Sequence, residues 1–159
     1  MPVSFHTADV KFRLQNVRKY AGFIAVQVKK ACGREIVLTY VFCSDNYLLQ
    51  MNKQFLQHDY YTDIITFDLS ATPQKAPAKK PNVDAGPIEG EIYISIDRVK
   101  ENAASLGIPF NDELSRVMFH GVLHLLGLKD KTKAQKQDMR LAEDAWLKAF
   151  KRMAAPKKG

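Results

Sequence analysis

The pattern of hydrophobic positions along the chain predicts four β-strands. The three clearest are residues 34–43 (REIVLTYVFC), 63–69 (DIITFDL) and 91–96 (EIYISI), which are rich in β-branched and aromatic side chains. A shorter run at residues 3–5 is also typical of a strand. The pattern therefore predicts a sheet of about four strands, most of which lie in the first half of the chain.

Apolar residues at helical spacing predict five helices between and after these strands. The first covers residues 12–31 and ends at Gly33, since glycine readily adopts the left-handed conformation at a helix C-terminus. Ser44 or Asp45 can cap a second, shorter helix that ends near Phe55, because a side-chain oxygen there accepts a hydrogen bond from the first turn.

Two more helices are predicted in the second half of the chain. Asp97 is expected to cap a helix that ends near Gly107. Asn111 or Asp112 is expected to cap the next helix, which runs to about Leu126.

The last predicted helix begins with a capping box formed by Thr132 and Gln135, and it ends near Phe150. Strands in the first half followed by helices in the second are typical of an α+β fold. We therefore expect a single domain over residues 1–153, in which about five helices pack against one mixed sheet of about four strands.

Two segments fall outside these elements. Residues 70–86 (SATPQKAPAKKPNVDAG) are rich in proline, alanine and lysine, which indicates an exposed, mobile loop between strands rather than a linker between domains. Residues 154–159 are expected to form a basic, disordered tail.

Charge adds a first indication of function. The chain has 24 Lys and Arg against 17 Asp and Glu, a formal net charge of +7. The basic residues are concentrated in residues 1–34 and 148–159, whereas residues 84–115 are net acidic. A segregated basic surface suits a polyanion such as RNA, because phosphate contacts release counterions. For the C-terminal tail alone, a solvated segment that only aids solubility is the simpler interpretation.

Composition also excludes several classes of protein. No apolar run is long enough to span a membrane. Cys32 and Cys43 are too few for a disulfide framework, and the first twelve residues lack the features of a signal peptide. We therefore expect a cytoplasmic protein with reduced thiols. The chain has neither a phosphate-binding GxxxxGK[ST] loop nor a G-x-S-x-G nucleophile elbow.

The most informative stretch is residues 119–131 (FHGVLHLLGLKDK). His120 and His124 are four residues apart on a predicted helix, so they project from one face and can share a metal ion. Gly127 can end this helix in a left-handed conformation, and the chain can then return Asp130 to the same ion. Three protein ligands with an open position are typical of a catalytic zinc site. The alternative is that both histidines are core residues with satisfied hydrogen bonds.

A zinc peptidase helix carries a glutamate directly after its first histidine, where it acts as the general base. The residue at this position is Gly121. A metal-dependent hydrolase of another class, such as a peptidase, is therefore a weaker hypothesis.

Four ordered motifs cover most of residues 34–150. They are residues 51–52 (MN) leading into 62–67 (TDIITF), residues 90–92 (GEI), the HGxLHLxG helix segment from His120 to Gly127, and Met139 with Glu143. In this order the motifs resemble those of the YbeY-like metal-dependent endoribonucleases of bacteria, which act in ribosomal RNA maturation. The resemblance implies that His120, His124 and the residue ten positions after His120 are the metal ligands.

The chain departs from the family pattern at two positions. The third ligand of the family is usually histidine and is here Asp130, flanked by Lys129 and Lys131. A carboxylate can also bind Zn²⁺. Compared with an imidazole, however, the charged carboxylate shifts the preference of the site toward harder metals such as Mn²⁺. The arginine that the family usually has four residues after Asn52 is replaced by Leu56, which cannot neutralise a phosphate. Gln57, His58, Lys129 and Lys131 are the candidates to take its place.

The resemblance implies a single-strand-specific metallo-endoribonuclease of ribosomal RNA processing, including maturation of the 16S rRNA 3′ end, and of ribosome quality control. Its partners would be single-stranded RNA, ribosomal RNA and the ribosome, and its cofactor one Zn²⁺ per chain or another divalent metal such as Mn²⁺. The alternative is an RNA- or ribosome-binding assembly factor in which the metal site is structural or vestigial.

The sequence identifies candidates for the other roles at the site without deciding between them. Asp63, Lys129 and Lys131 are the candidates to assist the metal-bound water or the phosphate. Asp63 could instead orient a ligand histidine or cap a turn before its strand. Tyr60 and Tyr61 could stack on unpaired bases or pack at the start of that strand. The interpretation of Met139 and Trp146 is core packing, and His6 and His58 are expected at the surface.

Overall fold

A computed structural model of the protein describes residues 2–58 and 60–153. In this part of the chain the elements follow one another as β1 (Val3–Thr7), α1 (Val17–Cys32), β2 (Ile36–Cys43), α2 (Asp45–Phe55), β3 (Ile64–Asp68), β4 (Ile88–Ser95), α3 (Ile96–Leu106), α4 (Phe110–Leu125) and α5 (Lys133–Arg152). The predicted α+β domain is therefore confirmed, with five helices and one four-stranded sheet. The predicted tail at residues 154–159 lies outside the described residues.

The sheet is mixed, as expected, and has the strand order β1-β2-β4-β3. β1 pairs with β2 and β2 with β4 in parallel, whereas β3 runs antiparallel to β4. The two inner strands supply the apolar centre of the sheet: Leu38 and Tyr40 of β2 lie beside Gly90 and Ile92 of β4, and all except the glycine are buried hydrophobic residues. Helix α4 packs across β4 and its neighbour β3, and Tyr40 of β2 donates a hydrogen bond to the Met118 carbonyl of this helix.

Helices α1, α4 and α5 share one aromatic core. Phe119 of α4 contacts Phe23 of α1 with ring centroids 5.2 Å apart, and Trp146 of α5 packs edge-on against both rings. Met139 is buried in the same core. The core interpretation of Met139 and Trp146 is therefore confirmed. A smaller second cluster consists of Leu48 of α2 and buried residues of β2 and β3.

The start of the first helix was predicted too early. α1 begins at Val17, and residues 12–16 are irregular. Asn16, at the N-cap, has a left-handed φ of 59° that interrupts the helical path. Phe12 and Leu14 have apolar spacing for a different reason, since Phe12 packs edge-on against Phe42 of the sheet and Leu14 is buried in the core. The apolar spacing in residues 12–16 therefore resembles that of a helical turn, but it arises from tertiary packing of an irregular segment.

Two predicted helix caps were also wrong. Ser95, not Asp97, caps α3 by accepting a hydrogen bond from the Arg98 backbone, and the Asp97 carboxylate instead accepts from the Asp45 amide. Pro109, not Asn111 or Asp112, occupies the N-cap of α4. The two helices therefore begin two or three residues earlier than the predicted caps suggested.

Other boundaries agree more closely with the prediction. Ser44 caps α2, and both hydrogen bonds of the capping box formed by Thr132 and Gln135 are present at α5. β4 begins at Ile88, three residues before the predicted strand, because residues 88–90 continue the parallel pairing with β2.

Residues 70–86 connect β3 to β4 and include one short 3₁₀ turn, Val83–Ala85. Most of their side chains are exposed. The buried Arg34 holds both ends of this segment, because its guanidinium donates hydrogen bonds to the backbone oxygens of Thr72 (2.6 Å) and Gly86 (2.9 Å). A search of residues 2–58 and 60–153 finds no helix that is both long and apolar enough to cross a membrane.

Candidate metal centre

Helix α4 and the turn that follows it bring three candidate ligands together. The Nε2 atoms of His120 and His124 are 2.9 Å apart, and Asp130 Oδ2 is 3.3 Å from each of them. One ligand atom from each residue lies within 4.8 Å of the other two. Gly127 makes the turn possible, because its φ of 98° is unfavourable for residues with a Cβ. The predicted H-x3-H-x2-G-x2-D arrangement thus forms one cluster that could hold a metal ion.

The second nitrogen of each histidine has its own hydrogen-bond partner. His124 Nδ1 is 2.9 Å from the Leu128 carbonyl oxygen, which can only accept, so Nδ1 carries the proton. His120 Nδ1 is 2.6 Å from Glu143 Oε2, where an ionised carboxylate requires the same assignment. Both Nε2 atoms of the neutral rings are therefore lone-pair donors that face one another and a carboxylate oxygen. This donor set fits a divalent cation of the zinc type.

Glu143 is held in turn by Arg116. Arg116 Nη1 donates to Glu143 Oε1 at 2.9 Å, and Nη2 donates to the exposed Asp144 at 2.9 Å. Burial by itself would raise the pKa of Glu143, but the hydrogen bonds from His120 and Arg116 lower it below its usual value. Burial would likewise lower the pKa of His120, and the hydrogen bond and charge of Glu143 raise it. Glu143 is thus kept ionised beside His120.

The sequence motif marked Glu143 without a role, and Arg116 was not singled out at all. One signal for Arg116 was available, because it lies four residues before His120 on the same helix and therefore shares its face. No comparable signal connects Glu143 to His120 across 23 residues of sequence.

Two glycines fix the depth of α4 against the sheet. A Cβ on Gly121 would lie 2.7 Å from Ile92 Cδ1, and one on Gly90 would lie 2.8 Å from Leu125 Cδ1. Both contacts are shorter than real Cβ atoms show, so a side chain at either position would force Ile92 or Leu125 to move. The packing leaves no room at position 121 for the glutamate base of a zinc peptidase.

A cleft of about 490 Å³ opens beside the cluster. Its lining includes His120, His124 and Asp130 together with Asp63 and Leu56. Asp63 immediately precedes β3 and is half-buried, and burial raises the pKa of its carboxyl above the usual value. The Nδ1 atoms of the two histidines are hydrogen-bonded to Glu143 and to the Leu128 carbonyl, and neither contacts Asp63.

The remaining candidates lie around this cleft rather than in it. Lys129 and Lys131 are exposed on either side of Asp130 and do not line the cleft. Tyr60 and Tyr61 expose 56% and 50% of their surface, so they are not packed into the core at the start of β3. The ring of His58 stacks on Tyr60, with centroids 5.0 Å apart. His6 is exposed, as expected.

Comparisons with known proteins agree with this geometry. The family model described as Endoribonuclease YbeY matches residues 3–151. An Endoribonuclease YbeY from Cytophaga hutchinsonii is 46% identical over 145 residues, which cover 91% of this chain and 93% of that protein. Another, from Flavobacterium psychrophilum, is 41% identical over 142 residues, which cover 89% of this chain and 92% of that protein.

A solved structure supports the fold. The solution structure of TM1509 from Thermotoga maritima superimposes with a TM-score of 0.61 at 20% sequence identity and covers 99% of both chains. The family resemblance seen in the four motifs is confirmed by the match over nearly the whole chain and by the identity to curated relatives. This chain therefore belongs to the Endoribonuclease YbeY family of metal-dependent, RNA-cleaving hydrolases.

Proposed function

We propose that this protein is a single-strand-specific metallo-endoribonuclease that acts in ribosomal RNA processing in the cytoplasm. The observation that carries the proposal is the convergence of the His120 and His124 Nε2 atoms and Asp130 Oδ2 at the wall of an open cleft. A catalytic metal needs such an open side, whereas a structural zinc is usually enclosed by four protein ligands. Maturation of the 16S rRNA 3′ end and ribosome quality control are the specific roles proposed from the family.

His120, His124 and Asp130 would hold one cation, with Zn²⁺ as the first choice. A bound divalent cation polarises a phosphodiester oxygen and makes water more acidic. In the neutral rings, the hydrogen bonds to Glu143 and to the Leu128 carbonyl place the proton on Nδ1, which leaves each Nε2 lone pair for a metal and fixes the orientation of the rings. Because Asp130 adds a negative charge where the family usually has histidine, Mn²⁺ is the alternative metal.

Asp63 is suited to handle the proton in this reaction. Its carboxyl lines the same cleft as the three ligands, and burial holds its pKa above the usual value for aspartate. A carboxyl with a raised pKa takes up and returns a proton more readily near neutral pH. The exposed Lys129 and Lys131 would contact the phosphates on either side of the cleaved bond.

The surroundings of the cleft support the proposed preference for single strands. Tyr60 and Tyr61 present exposed rings close in sequence to Leu56 and Asp63, which line the cleft. Rings of this kind stack on unpaired bases, whose faces are covered in a duplex. The net charge of +7 supplies the sequence-independent attraction to the backbone.

One observation favours a second candidate, an RNA- or ribosome-binding assembly factor whose metal site is structural or vestigial. Leu56 lines the cleft at the position where the family usually has an arginine. An apolar side chain there cannot stabilise charge on a phosphate, so binding could persist without efficient cleavage.

The test combines metal content with RNA cleavage. We expect about one Zn²⁺ or Mn²⁺ per chain after purification without chelators, and the loss of most of it in Asp130→Ala. Cleavage of an unstructured RNA should stop on chelation, return with added metal and be absent in His124→Ala, while a duplex of the same sequence stays intact. RNA binding that survives His124→Ala, without chelator-sensitive cleavage in the wild type, would support the assembly factor instead.

A further inference from the structure

A second cavity of about 330 Å³ adjoins the metal centre. It shares Asp63, His120 and Asp130 with the lining of the cleft, so the two spaces meet at these side chains. Its other charged lining residues are Glu113, Glu143, Arg116 and Arg140. The family motifs identified in the sequence do not include Glu113.

Glu113 is a buried acid whose carboxylate is incompletely hydrogen-bonded among the described residues. Only 5% of its surface is exposed, and Oε1 is fully buried with no hydrogen-bond partner among the described residues. Arg116, one helical turn further along α4, directs its Nη atoms to Glu143 and Asp144 instead. A buried carboxylate oxygen without a partner is strongly unfavourable, and buried polar groups in folded proteins are almost always hydrogen-bonded, so such a group calls for an explanation.

Asp63 presents a second carboxyl to the same cavity. Burial raises the pKa of both Asp63 and Glu113, and the negative charge of Asp63 raises the pKa of Glu113 further. The two carboxyls therefore interact electrostatically, and the charges of Arg116 and Arg140 offset only part of the rise in the pKa of Glu113.

The charges around the cavity are unbalanced overall. Its lining includes four carboxylates, from Asp63, Glu113, Asp130 and Glu143, against the two guanidinium groups of Arg116 and Arg140. One divalent cation at the histidine centre would cancel the excess of two negative charges, but it would leave nothing to balance an incoming phosphodiester. A cation at Asp63 and Glu113 would provide that balance.

We propose that Asp63 and Glu113 hold a second divalent cation, of the hard Mg²⁺ or Mn²⁺ class, in the cavity next to the histidine centre. Mg²⁺ is typically bound through one or two carboxylates, with water and substrate phosphate as its other ligands. All-oxygen ligands favour Mg²⁺ and Mn²⁺, whereas the two imidazoles of the first centre favour Zn²⁺. The two sites therefore select different metals from the same solution.

The use of this cation in catalysis rests on the proposed function, but its binding does not. Sites with two metals stabilise both the attacking and the leaving oxygen of a phosphodiester. In this arrangement Asp63 would be a ligand of the second cation in place of its proposed proton-handling role, and this cation would contact the phosphate from the side of Asp63, while the first is held by the histidines.

The test counts bound Mn²⁺ by electron paramagnetic resonance during titration of the metal-free, full-length protein. We expect two Mn²⁺ per wild-type chain and one in Glu113→Gln, with the weaker site reduced at least tenfold in affinity. His124→Ala should lose the other site. Protein loaded with one Zn²⁺ should still bind one Mn²⁺. The control Glu35→Gln removes an exposed glutamate whose carboxylate pairs with Lys29, and this variant should bind two Mn²⁺ ions.

Asp63→Asn provides a second variant with the same expected loss, so the test does not depend on the folding of one protein. If Glu113→Gln and Asp63→Asn both bind as many Mn²⁺ ions as the wild type, the proposal is wrong. The proposal is also wrong if the Zn²⁺-loaded wild type binds no Mn²⁺ at millimolar concentration. If His124→Ala changes nothing while Glu113→Gln loses one ion, the second site stands and the proposed histidine centre fails.

Discussion

His124 Nδ1 lies 2.9 Å from the carbonyl oxygen of Leu128, four residues further along the chain. The helix that supplies one candidate ligand is therefore joined by a hydrogen bond to the turn that supplies another, Asp130. The bond exists because Gly127 reverses the chain with a φ of 98°. The geometry of the cluster thus depends on the backbone of this turn as much as on the ligands themselves.

Gly127→Ala should consequently weaken metal binding without removing any ligand. A Cβ at position 127 would lie 2.6 Å from the Ala76 carbonyl carbon, and the positive φ adds strain of about 1 kcal/mol. We expect metal affinity to fall about 10-fold or more, because the Leu128 carbonyl and Asp130 are displaced together. Competition with a chromophoric chelator measures this change.

The matched control for this variant is Gly22→Ala in α1, where an added Cβ meets nothing within 4 Å. Its metal affinity should be that of the wild type, and its stability should rise by up to about 1 kcal/mol, since alanine is the better helix former. Wild-type metal affinity in Gly127→Ala would show that the turn does not set the ligand geometry.

Glu143→Gln should weaken metal binding through His120. The substitution keeps the size of the side chain but removes the charge that His120 Nδ1 and Arg116 both contact. Loss of such an outer partner typically costs about 10- to 100-fold in metal affinity. Asp144→Asn is the control, because Asp144 is the exposed partner of the same arginine and does not contact His120. Equal affinities for the two variants would contradict the role assigned to Glu143.

Arg34→Met should destabilise the fold at a distance from the metal centre. The buried guanidinium donates to backbone oxygens of residues 72 and 85–87 and to Gln74, and methionine would leave these acceptors without donors. We expect the free energy of unfolding in urea to fall by about 2–4 kcal/mol, since each buried unpaired group costs about 1–3 kcal/mol. The exposed Arg18→Met should change it by less than about 0.5 kcal/mol.

The two cysteines should be unreactive in the folded protein. Both are buried, and burial raises the pKa of Cys43 to about 12, so about one Cys43 thiol in ten thousand is ionised at pH 8. We expect no reaction with a disulfide reagent such as DTNB at pH 8 within minutes, and two equivalents after unfolding in guanidinium chloride. Rapid native labelling would mean that the core around β2 opens readily.

The sequence was most informative where local rules act alone. The cluster of His120, His124 and Asp130 follows from helical periodicity and one glycine turn, and the capping box of Thr132 is formed by residues three apart. The partners supplied by distant parts of the chain could not be predicted in this way. Glu143 reaches His120 only because α5 packs beside α4, an arrangement set by the shared core.

The difference between local and tertiary contacts also explains the wrongly predicted helix caps. Asp97 and Asp112 are good capping residues by type, but each carboxylate has a tertiary partner, the Asp45 amide and Lys151 respectively. Local propensity cannot anticipate a competing contact across 52 or 39 residues. The strand order β1-β2-β4-β3 is equally non-local, since it is set by pairing between distant segments.

The exposed ring of Tyr60 leads to the last prediction, which concerns RNA affinity. Tyr60→Ala should weaken binding of an unstructured oligoribonucleotide by about 5- to 150-fold, because stacking on one base is worth about 1–3 kcal/mol. Fluorescence anisotropy in the His124→Ala background measures binding without cleavage. Tyr60→Phe keeps the ring and should bind like the unmodified background, and neither substitution should alter the metal content of the protein with His124 intact. If Tyr60→Ala and Tyr60→Phe bind RNA equally well, the ring is not a base platform, and the attraction to RNA comes from the basic surface alone.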